Sequence, residues 1–133
     1  MLNASAVYRH LNMRVLNAAG GRSRVRLTVA EDHKNLYGTV HGGMLATLLD
    51  SACGVAQATR LREGEALVTL DLNINYLRPV RSGPLIAEGE VVHRGQRTGV
   101  AQASVRDEAG RLVARGSCTH FVRRNDETGS GGS

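Results

Sequence analysis

The segment GMLATLLDSACGVAQATRL, residues 43–61, is the longest apolar stretch of this chain. Its apolar side chains recur at helical spacing, as at Leu45, Leu48, Ala52 and Val55, and the segment therefore predicts a helix of about five turns. Because little of its circumference is polar, we expect the helix to be buried. The rest of the chain must then supply a layer that covers it.

Segments with strand patterns lie on both sides of this helix. Residues 13–29 alternate arginine with apolar side chains and predict a hairpin that turns at residues 18–21. Downstream, short turn segments rich in Gly and Pro separate four further strand patterns, at 67–76, 85–92, 98–106 and 112–122. One early buried helix followed by antiparallel strands predicts an α+β domain in which the sheet wraps around a long central helix.

The length of 133 residues fits one domain. We assign residues 1–125 to that domain, beginning with a short helix over residues 2–11. Residues 126–133, DETGSGGS, are too polar and too rich in Gly and Ser to pack, and we expect a disordered tail.

The composition limits which partners the protein can bind and in which compartment it is expected. Aromatic residues make up only 3% of the chain, which argues against a nucleic-acid module that stacks bases on aromatic rings. Two cysteines are too few for a secreted disulfide scaffold, and neither a signal segment nor a membrane-length apolar run is visible. We therefore expect a cytoplasmic protein without nucleic-acid or membrane partners.

The net charge of +5 comes almost entirely from arginine, since Lys34 is the only lysine. Arginine suits the bidentate recognition of phosphate, as in the nucleotide end of coenzyme A. Solubility explains the same charge equally well. The charge alone does not decide between these interpretations.

Asp50 is the candidate catalytic residue, because it lies near the middle of the most apolar helix. Burying an ionised carboxylate is costly unless it is paired or hydrogen-bonded. On the helical wheel Asp50 shares its face with small or polar residues, which favours an opening at this position. The alternative is a structural ion pair with one of the many arginines.

The tripeptide His41-Gly42-Gly43 directly precedes this helix. The first backbone N–H groups of a helix have no intrahelical acceptor, and glycine lets another group approach them closely. They could polarise a carbonyl as an oxyanion hole, or the tripeptide could be an ordinary turn. Gly42 and Asp50 lie about 12 Å apart along a helix. If both act on one carbonyl, the Gly42 amide of one subunit must meet the Asp50 of another, which implies a homodimer.

NLYGTVHGG at residues 35–43, an acid at Asp50, and TLDLNINYLRP at residues 69–79 together resemble the PaaI-like hotdog-fold acyl-CoA thioesterase family. The resemblance spans residues 33–122. It implies the hotdog fold and hydrolysis of an acyl-CoA to the free acid and CoA. It also implies a homodimer that completes the active site, a homotetramer formed from such dimers, and no cofactor, because CoA is part of the substrate.

The resemblance also implies roles for individual residues. Asp50 matches the carboxylate that acts as nucleophile or as general base towards water. Gly42 matches the backbone donor that polarises the thioester carbonyl, with help from the side chain of Asn35. His41 matches a residue that organises hydrogen bonds beside it, and Thr69 matches a hydroxyl residue that positions water.

The turn at residues 94–98 falls where the family binds CoA. This position makes Arg94, Gly95 and Arg97 candidate CoA contacts, with Arg78 as a further candidate. A solvated hairpin accounts for the same turn equally well.

Two alternatives to hydrolysis remain open, and no metal site is expected. A hotdog enoyl-CoA hydratase or dehydratase would use His41 and Asp50 to move protons, and a non-catalytic acyl-CoA sensor would only bind. Of the acyl group, an aryl group such as phenylacetyl or a medium chain is expected. The histidines show no metal-ligand spacing along the chain, and we therefore predict no metal.

Overall fold

The computed structural model describes residues 5–124, which form an antiparallel sheet, two α-helices of unequal length and a short 3₁₀ helix at Glu31–His33. The helices are α1, Ala6–His10, and α2, Gly42–Ala58. The strands are β1, Met13–Ala19; β2, Arg22–Thr28; β3, Glu65–Tyr76; β4, Pro84–Arg94; β5, Thr98–Arg106; and β6, Leu112–Arg124. The predicted tail at 126–133 and the first residues of the predicted helix 2–11 lie outside the described part of the chain.

The six strands form one sheet in the order β1-β2-β4-β5-β6-β3, and α2 packs against its inner face. The helix lies directly on the sheet at Gly89, where an added Cβ would collide with the Ala52 carbonyl. Ser23 on β2 donates a hydrogen bond to the same carbonyl at 2.6 Å. The predicted α+β arrangement, a sheet wrapped around one long helix, is confirmed.

The first hairpin turns where the sequence predicts it. Gly20 and Gly21 have φ angles of +60° and +80°, a left-handed conformation that other residues adopt at a cost. On β2, Arg22 and Arg24 are exposed, whereas Val25 is fully buried against α2. The alternation of arginine and apolar residues therefore correctly predicts which side of this strand is exposed and which is buried.

The central helix ends three residues earlier than the sequence predicts, at Ala58. The Thr59 hydroxyl donates to the Ala56 carbonyl at 2.7 Å and accepts a hydrogen bond from the Gly21 N–H at 2.7 Å. These contacts fix the chain against the first hairpin and end the helix there. Within residues 5–124, no helix is long and apolar enough to cross a membrane.

Strand β3 is an edge of the sheet and carries a bulge at Leu70. Its register with β6 shifts between Thr69 and Asp71. Before the bulge Thr69 points towards α2, and after it Leu72 and Tyr76 point the same way, because the extra residue reverses the alternation. Side chains seven positions apart on β3 thus face the same helix.

The outer edge of β3 has no neighbouring strand among residues 5–124. Long unpaired edges are usually protected, because their free backbone groups recruit other strands. This edge instead carries exposed apolar side chains: the exposed fractions are 44% for Val68, 59% for Leu70, 51% for Tyr76 and, just after the strand, 50% for Leu77. Such a surface is typical of an interface.

Candidate active site

Asp50 lies at the centre of α2, half-buried, with neutral hydrogen-bond donors around its carboxylate. The Thr69 hydroxyl on β3 donates to Asp50 Oδ1 at 3.1 Å, and the Cys118 thiol on β6 lies 3.6 Å from the same oxygen. Among the described residues no arginine forms an ion pair with Asp50. Its surroundings are therefore not those of a structural ion pair.

The Asp50 carboxylate faces a recess of about 270 Å³ between α2 and the end of the sheet. Small residues on α2 make room for it, because Ser51 and Gly54 present little bulk. The recess is lined further by Tyr8, Val55, Ala58, Leu67, Thr69 and His120. A molecule in this recess would contact the carboxylate and the Thr69 hydroxyl together.

The first turn of α2 leaves one backbone donor available. His41 Nδ1 accepts a hydrogen bond from the Gly43 N–H at 2.8 Å, and the His41 carbonyl accepts one from the Met44 N–H at 2.9 Å. Within residues 5–124 the Gly42 N–H has no acceptor, as expected for the first position of a helix. His41 thus caps the helix and leaves the Gly42 donor free to act on a ligand.

Asn35 organises the loop that leads into this helix. Its Oδ1 accepts hydrogen bonds from the Tyr37 N–H at 2.9 Å and from the Thr39 N–H at 3.2 Å. With the carbonyl end engaged in the loop, the amide NH₂ group is left without an acceptor in the described part of the chain. Asn35 can therefore donate to a ligand.

In the structure the predicted catalytic residues form two separate groups. Thr69 joins Asp50 at the middle of α2, whereas Asn35, His41 and Gly42 lie at or before its first residue. Within one protomer the helix itself separates the two groups, as its geometry requires.

Tyr76 belongs to the second group and was not predicted as a site residue. Its hydroxyl donates to the Gly42 carbonyl at 2.9 Å. The sequence did not indicate this role, because Tyr76 lies seven positions after Thr69 and the two side chains would face opposite sides of a regular strand. The bulge brings them to the same side.

A groove of about 710 Å³ holds most of the predicted CoA contacts. Gly95 and Arg97 line it together with Arg94. Arg94 is already engaged, since it donates to Glu65 at 3.1 Å and to the Arg60 carbonyl at 3.0 Å. It therefore has fewer donors left for a phosphate than its place in the turn suggests.

Glu65, the partner of Arg94, is a carboxylate held in its charged form. Hydrogen bonding from the Arg62 N–H, and then from Arg94, holds the pKa of Glu65 below its usual value. Arg78 lies beyond the other end of β3, is exposed, and is not part of the groove in one protomer.

His120 is a buried residue beside Asp50 that the sequence interpretation did not select. It is 1% exposed, and neither ring nitrogen has a hydrogen-bond partner among the described residues. Burial lowers the pKa of His120 below its ordinary value, while the nearby charge of Asp50 opposes that shift. Cys118, His120 and Val122 are buried at alternate positions of β6. This period of two in the sequence could have indicated that His120 faces the interior.

Residues 37–114 match the family described as the Thioesterase superfamily. The chain belongs to this superfamily. The thioesterase is 32% identical over 110 residues to acyl-coenzyme A thioesterase 13 of Homo sapiens, a match that covers 81% of this chain and 78% of the human protein. It is 26% identical over 114 residues to a 1,4-dihydroxy-2-naphthoyl-CoA hydrolase of Listeria monocytogenes, covering 86% of this chain and 93% of that enzyme.

A solved structure of similar fold is a mutant of the phenylacetic acid degradation protein PaaI from Thermus thermophilus. It is 34% identical to the thioesterase, with a TM-score of 0.81, and the match covers 88% of this chain and 98% of that one. The PaaI-like resemblance, the hotdog fold and the assignment as a hydrolase of thioesters are thereby confirmed.

The buried imidazole of His120 predicts that the thioesterase loses stability on acidification. Because its pKa in the folded state lies below the ordinary value of 6.5, the unfolded chain binds the proton more readily. This part of the stability is complete above pH 6.5 and decreases as the pH falls towards the folded-state pKa. Urea unfolding at about pH 7.5 and about pH 5.5 measures the loss.

The loss should be smaller in His120→Leu, which cannot take up the proton. His93→Leu, at an exposed position on β4, is the matched control and should keep the pH dependence of the wild type. An equal loss in wild type and His120→Leu would show that other groups cause it.

Proposed function

We propose that the thioesterase hydrolyses an acyl-CoA whose acyl group is aryl, such as phenylacetyl, or of medium chain length, with Asp50 as nucleophile or general base. The observation that carries this proposal is the Asp50 carboxylate, which faces an open recess and accepts a hydrogen bond from Thr69. A thioester is already activated, and a carboxylate with an oxyanion hole can therefore hydrolyse it without a further cofactor.

The oxyanion hole in this proposal consists of the Gly42 N–H and the amide NH₂ of Asn35. The Gly42 N–H lies at the start of α2, where the positive end of the helix dipole favours negative charge, and Asn35 lies in the loop that leads into the helix. His41 acts as a positioning residue, because its ring accepts the Gly43 N–H and holds the first turn in place. Thr69 positions the attacking water through its contact with Asp50.

The proposal requires a homodimer, and the geometry of β3 supports one pairing in particular. Thr69 lies beside Asp50, and Tyr76 lies beside Gly42 on the same edge strand. Antiparallel pairing of β3 with its copy, about a two-fold axis near Leu72, sets Thr69 opposite Tyr76 of the partner subunit. With paired strands about 4.8 Å apart, Asp50 then faces the partner's Gly42.

The exposed apolar edge of β3 supports the same dimer, since pairing would cover Val68 and Leu70. A homotetramer formed from two such dimers is proposed from the family resemblance alone.

The CoA nucleotide is proposed to lie in the arginine-rich groove. Arg97 and Gly95 would contact its phosphates, while Arg94 holds the turn through Glu65. The dimer pairing also places Arg78 of the partner subunit opposite Leu67, close to this groove. The partner would thus add one cation to the arginines that the protomer itself supplies to the groove.

Release of CoA thiol from a panel of thioesters tests the proposed function. We expect phenylacetyl-, benzoyl- or hexanoyl-CoA to be hydrolysed faster than acetyl- and palmitoyl-CoA. A phenylacetyl-pantetheine thioester lacks the nucleotide, and we expect it to show a raised KM with similar kcat, because the groove contributes binding to ground and transition states alike. Inertness towards every thioester would overturn the proposal, and an unchanged KM would exclude the groove as the nucleotide site.

A further inference from the structure

Three metal-ligating side chains from different elements converge beside the active-site recess. A ligand atom from each of Asp50 on α2 and Cys118 and His120 on β6 lies within 4.8 Å of the other two. The spacing of the histidines along the chain gave no sign of this cluster, because its members come from a helix and a strand.

The cluster contains polar atoms that the described protein does not satisfy. His120 is 1% exposed, yet both of its ring nitrogens lack a hydrogen-bond partner within residues 5–124. Buried polar groups are nearly always paired, and an orphaned imidazole nitrogen beside a thiol and a carboxylate calls for a ligand. Its Nε2 points towards Gly54, one turn beyond Asp50 on α2, where an added Cβ would lie 3.9 Å away.

We propose that Asp50, Cys118 and His120 form a binding site for a zinc-type divalent cation, and that the bound cation inhibits the enzyme by occupying Asp50. A carboxylate oxygen, a thiolate and an imidazole are all common zinc ligands. Typical zinc bond lengths in a tetrahedral centre place oxygen and sulfur ligands about 3.6 Å apart. The Asp50 Oδ1 to Cys118 Sγ distance is 3.6 Å.

The recess supplies access to the site and a fourth ligand position. Asp50 and His120 both line this open cavity of about 270 Å³, and water can reach the ion from that side. Three protein ligands and one water complete a tetrahedral zinc shell. The recess thus gives access to the Asp50 and His120 side of the site.

Binding is accompanied by loss of one proton from Cys118. Contact with the Cys53 thiol, and then burial, raises the pKa of the Cys118 thiol far above its ordinary value. The cation forms bonds to Asp50, to the Cys118 thiolate and to His120, and the thiol proton passes to solvent. No electron is transferred, and affinity increases with pH because the displaced proton becomes easier to lose.

Binding of the ion can be tested independently of any catalytic activity. Full-length protein treated with EDTA and a reductant is titrated with Cd²⁺, and the near-ultraviolet absorbance of cadmium–thiolate bonds is recorded. Zn²⁺ affinity is then measured by competition with a chromogenic chelator. We expect one equivalent of Cd²⁺ to saturate the signal, and Zn²⁺ to displace it.

Two buried cysteines provide a matched pair of variants. Cys118→Ser should abolish the cadmium–thiolate signal and weaken Zn²⁺ binding by about tenfold or more. Cys53→Ser removes a thiol that is equally buried and touches Cys118, but it should leave the signal in place. His120→Leu should weaken binding to a similar extent, and circular dichroism verifies that each variant is folded.

Three results would overturn the site. Absence of a thiolate signal in the wild type would show that the cluster does not bind a cation of this type. A signal that survives Cys118→Ser would place the ion elsewhere. Equal loss in Cys53→Ser without loss in His120→Leu would assign the ion to the pair of thiols.

The inhibitory effect rests on the proposed function and is measured separately. Added Zn²⁺ should lower thioester hydrolysis by the wild type, with recovery after EDTA, and Cys118→Ser should lose that sensitivity relative to its own zinc-free rate. Stimulation by Zn²⁺ would overturn the inhibitory assignment. If the enzyme hydrolyses no thioester, the cadmium titration still decides whether the site exists.

Discussion

Asp50→Asn is expected to lower kcat for acyl-CoA hydrolysis by about a hundredfold or more, the contribution typical of a general base. Asparagine has the size of aspartate, and its oxygen can still accept the hydrogen bond from Thr69, so the local structure should persist. The substitution removes the charge and the basicity while keeping the shape. Steady-state rates of CoA thiol release from the best substrate measure the effect, with KM expected to change little.

Asp32→Asn is the matched control for this substitution. Its side chain is 84% exposed and lies away from the recess, so the same chemical change there should leave kcat unaltered. If Asp50→Asn retains wild-type turnover, Asp50 is a structural residue and the proposed mechanism is wrong.

Gly42→Pro should lower kcat by about 10²- to 10³-fold, because it deletes the backbone N–H assigned to the oxyanion hole. Proline is well tolerated at the first position of a helix, where no intrahelical hydrogen bond is lost. The preceding residue, His41, has φ −60° and ψ 136°, a conformation that suits a following proline. The variant should therefore fold with α2 intact.

Gly42→Ala is the matched control, since it keeps the N–H and adds only the Cβ. That Cβ would lie 3.3 Å from the ring of Tyr76, so alanine reports the steric part of the effect that proline shares. A loss in Gly42→Ala as large as in Gly42→Pro would attribute the effect to packing against Tyr76 and would remove the support for this donor.

Mixing the two inactive proteins tests the shared site directly. If Asp50 of one subunit acts with Gly42 of its partner, a heterodimer of Asp50→Asn and Gly42→Pro contains one intact site. Random reassortment should then restore about a quarter of wild-type activity, since half of the dimers are mixed and each has one of two sites. Lack of any recovery after subunit exchange would show that each site lies within one subunit.

The sequence predicted most of the architecture, because the strands and the helix have strong hydrophobic periods. The β1–β2 hairpin, for example, follows from alternating arginines and two glycines at the turn. The end of α2 was not predictable in this way. It depends on contacts between Thr59 and Gly21, which are 38 positions apart in the sequence.

The same distinction between local patterns and contacts distant in sequence applies to the candidate site. Asp50 was recognisable because a charge in an apolar helix is locally anomalous, and Gly42 because it precedes that helix. The proximity of Thr69 to Asp50 came only from the family resemblance, and the cluster with Cys118 and His120 was missed. Those neighbours are set by the register of β3 and β6, which no local pattern encodes.

The bulge at Leu70 makes β3 a strand with two halves that are out of phase. Its extra residue turns both Thr69 and Tyr76 towards α2, although an odd number of positions separates them. A regular strand of the same length would send Tyr76 outwards, whereas deletion of the extra residue would restore regular alternation and keep Thr69 and Tyr76 on the side of α2. In sequence comparisons, a one-residue gap here would therefore be compatible with the same geometry at the start of α2, although the spacing between the motif residues differs.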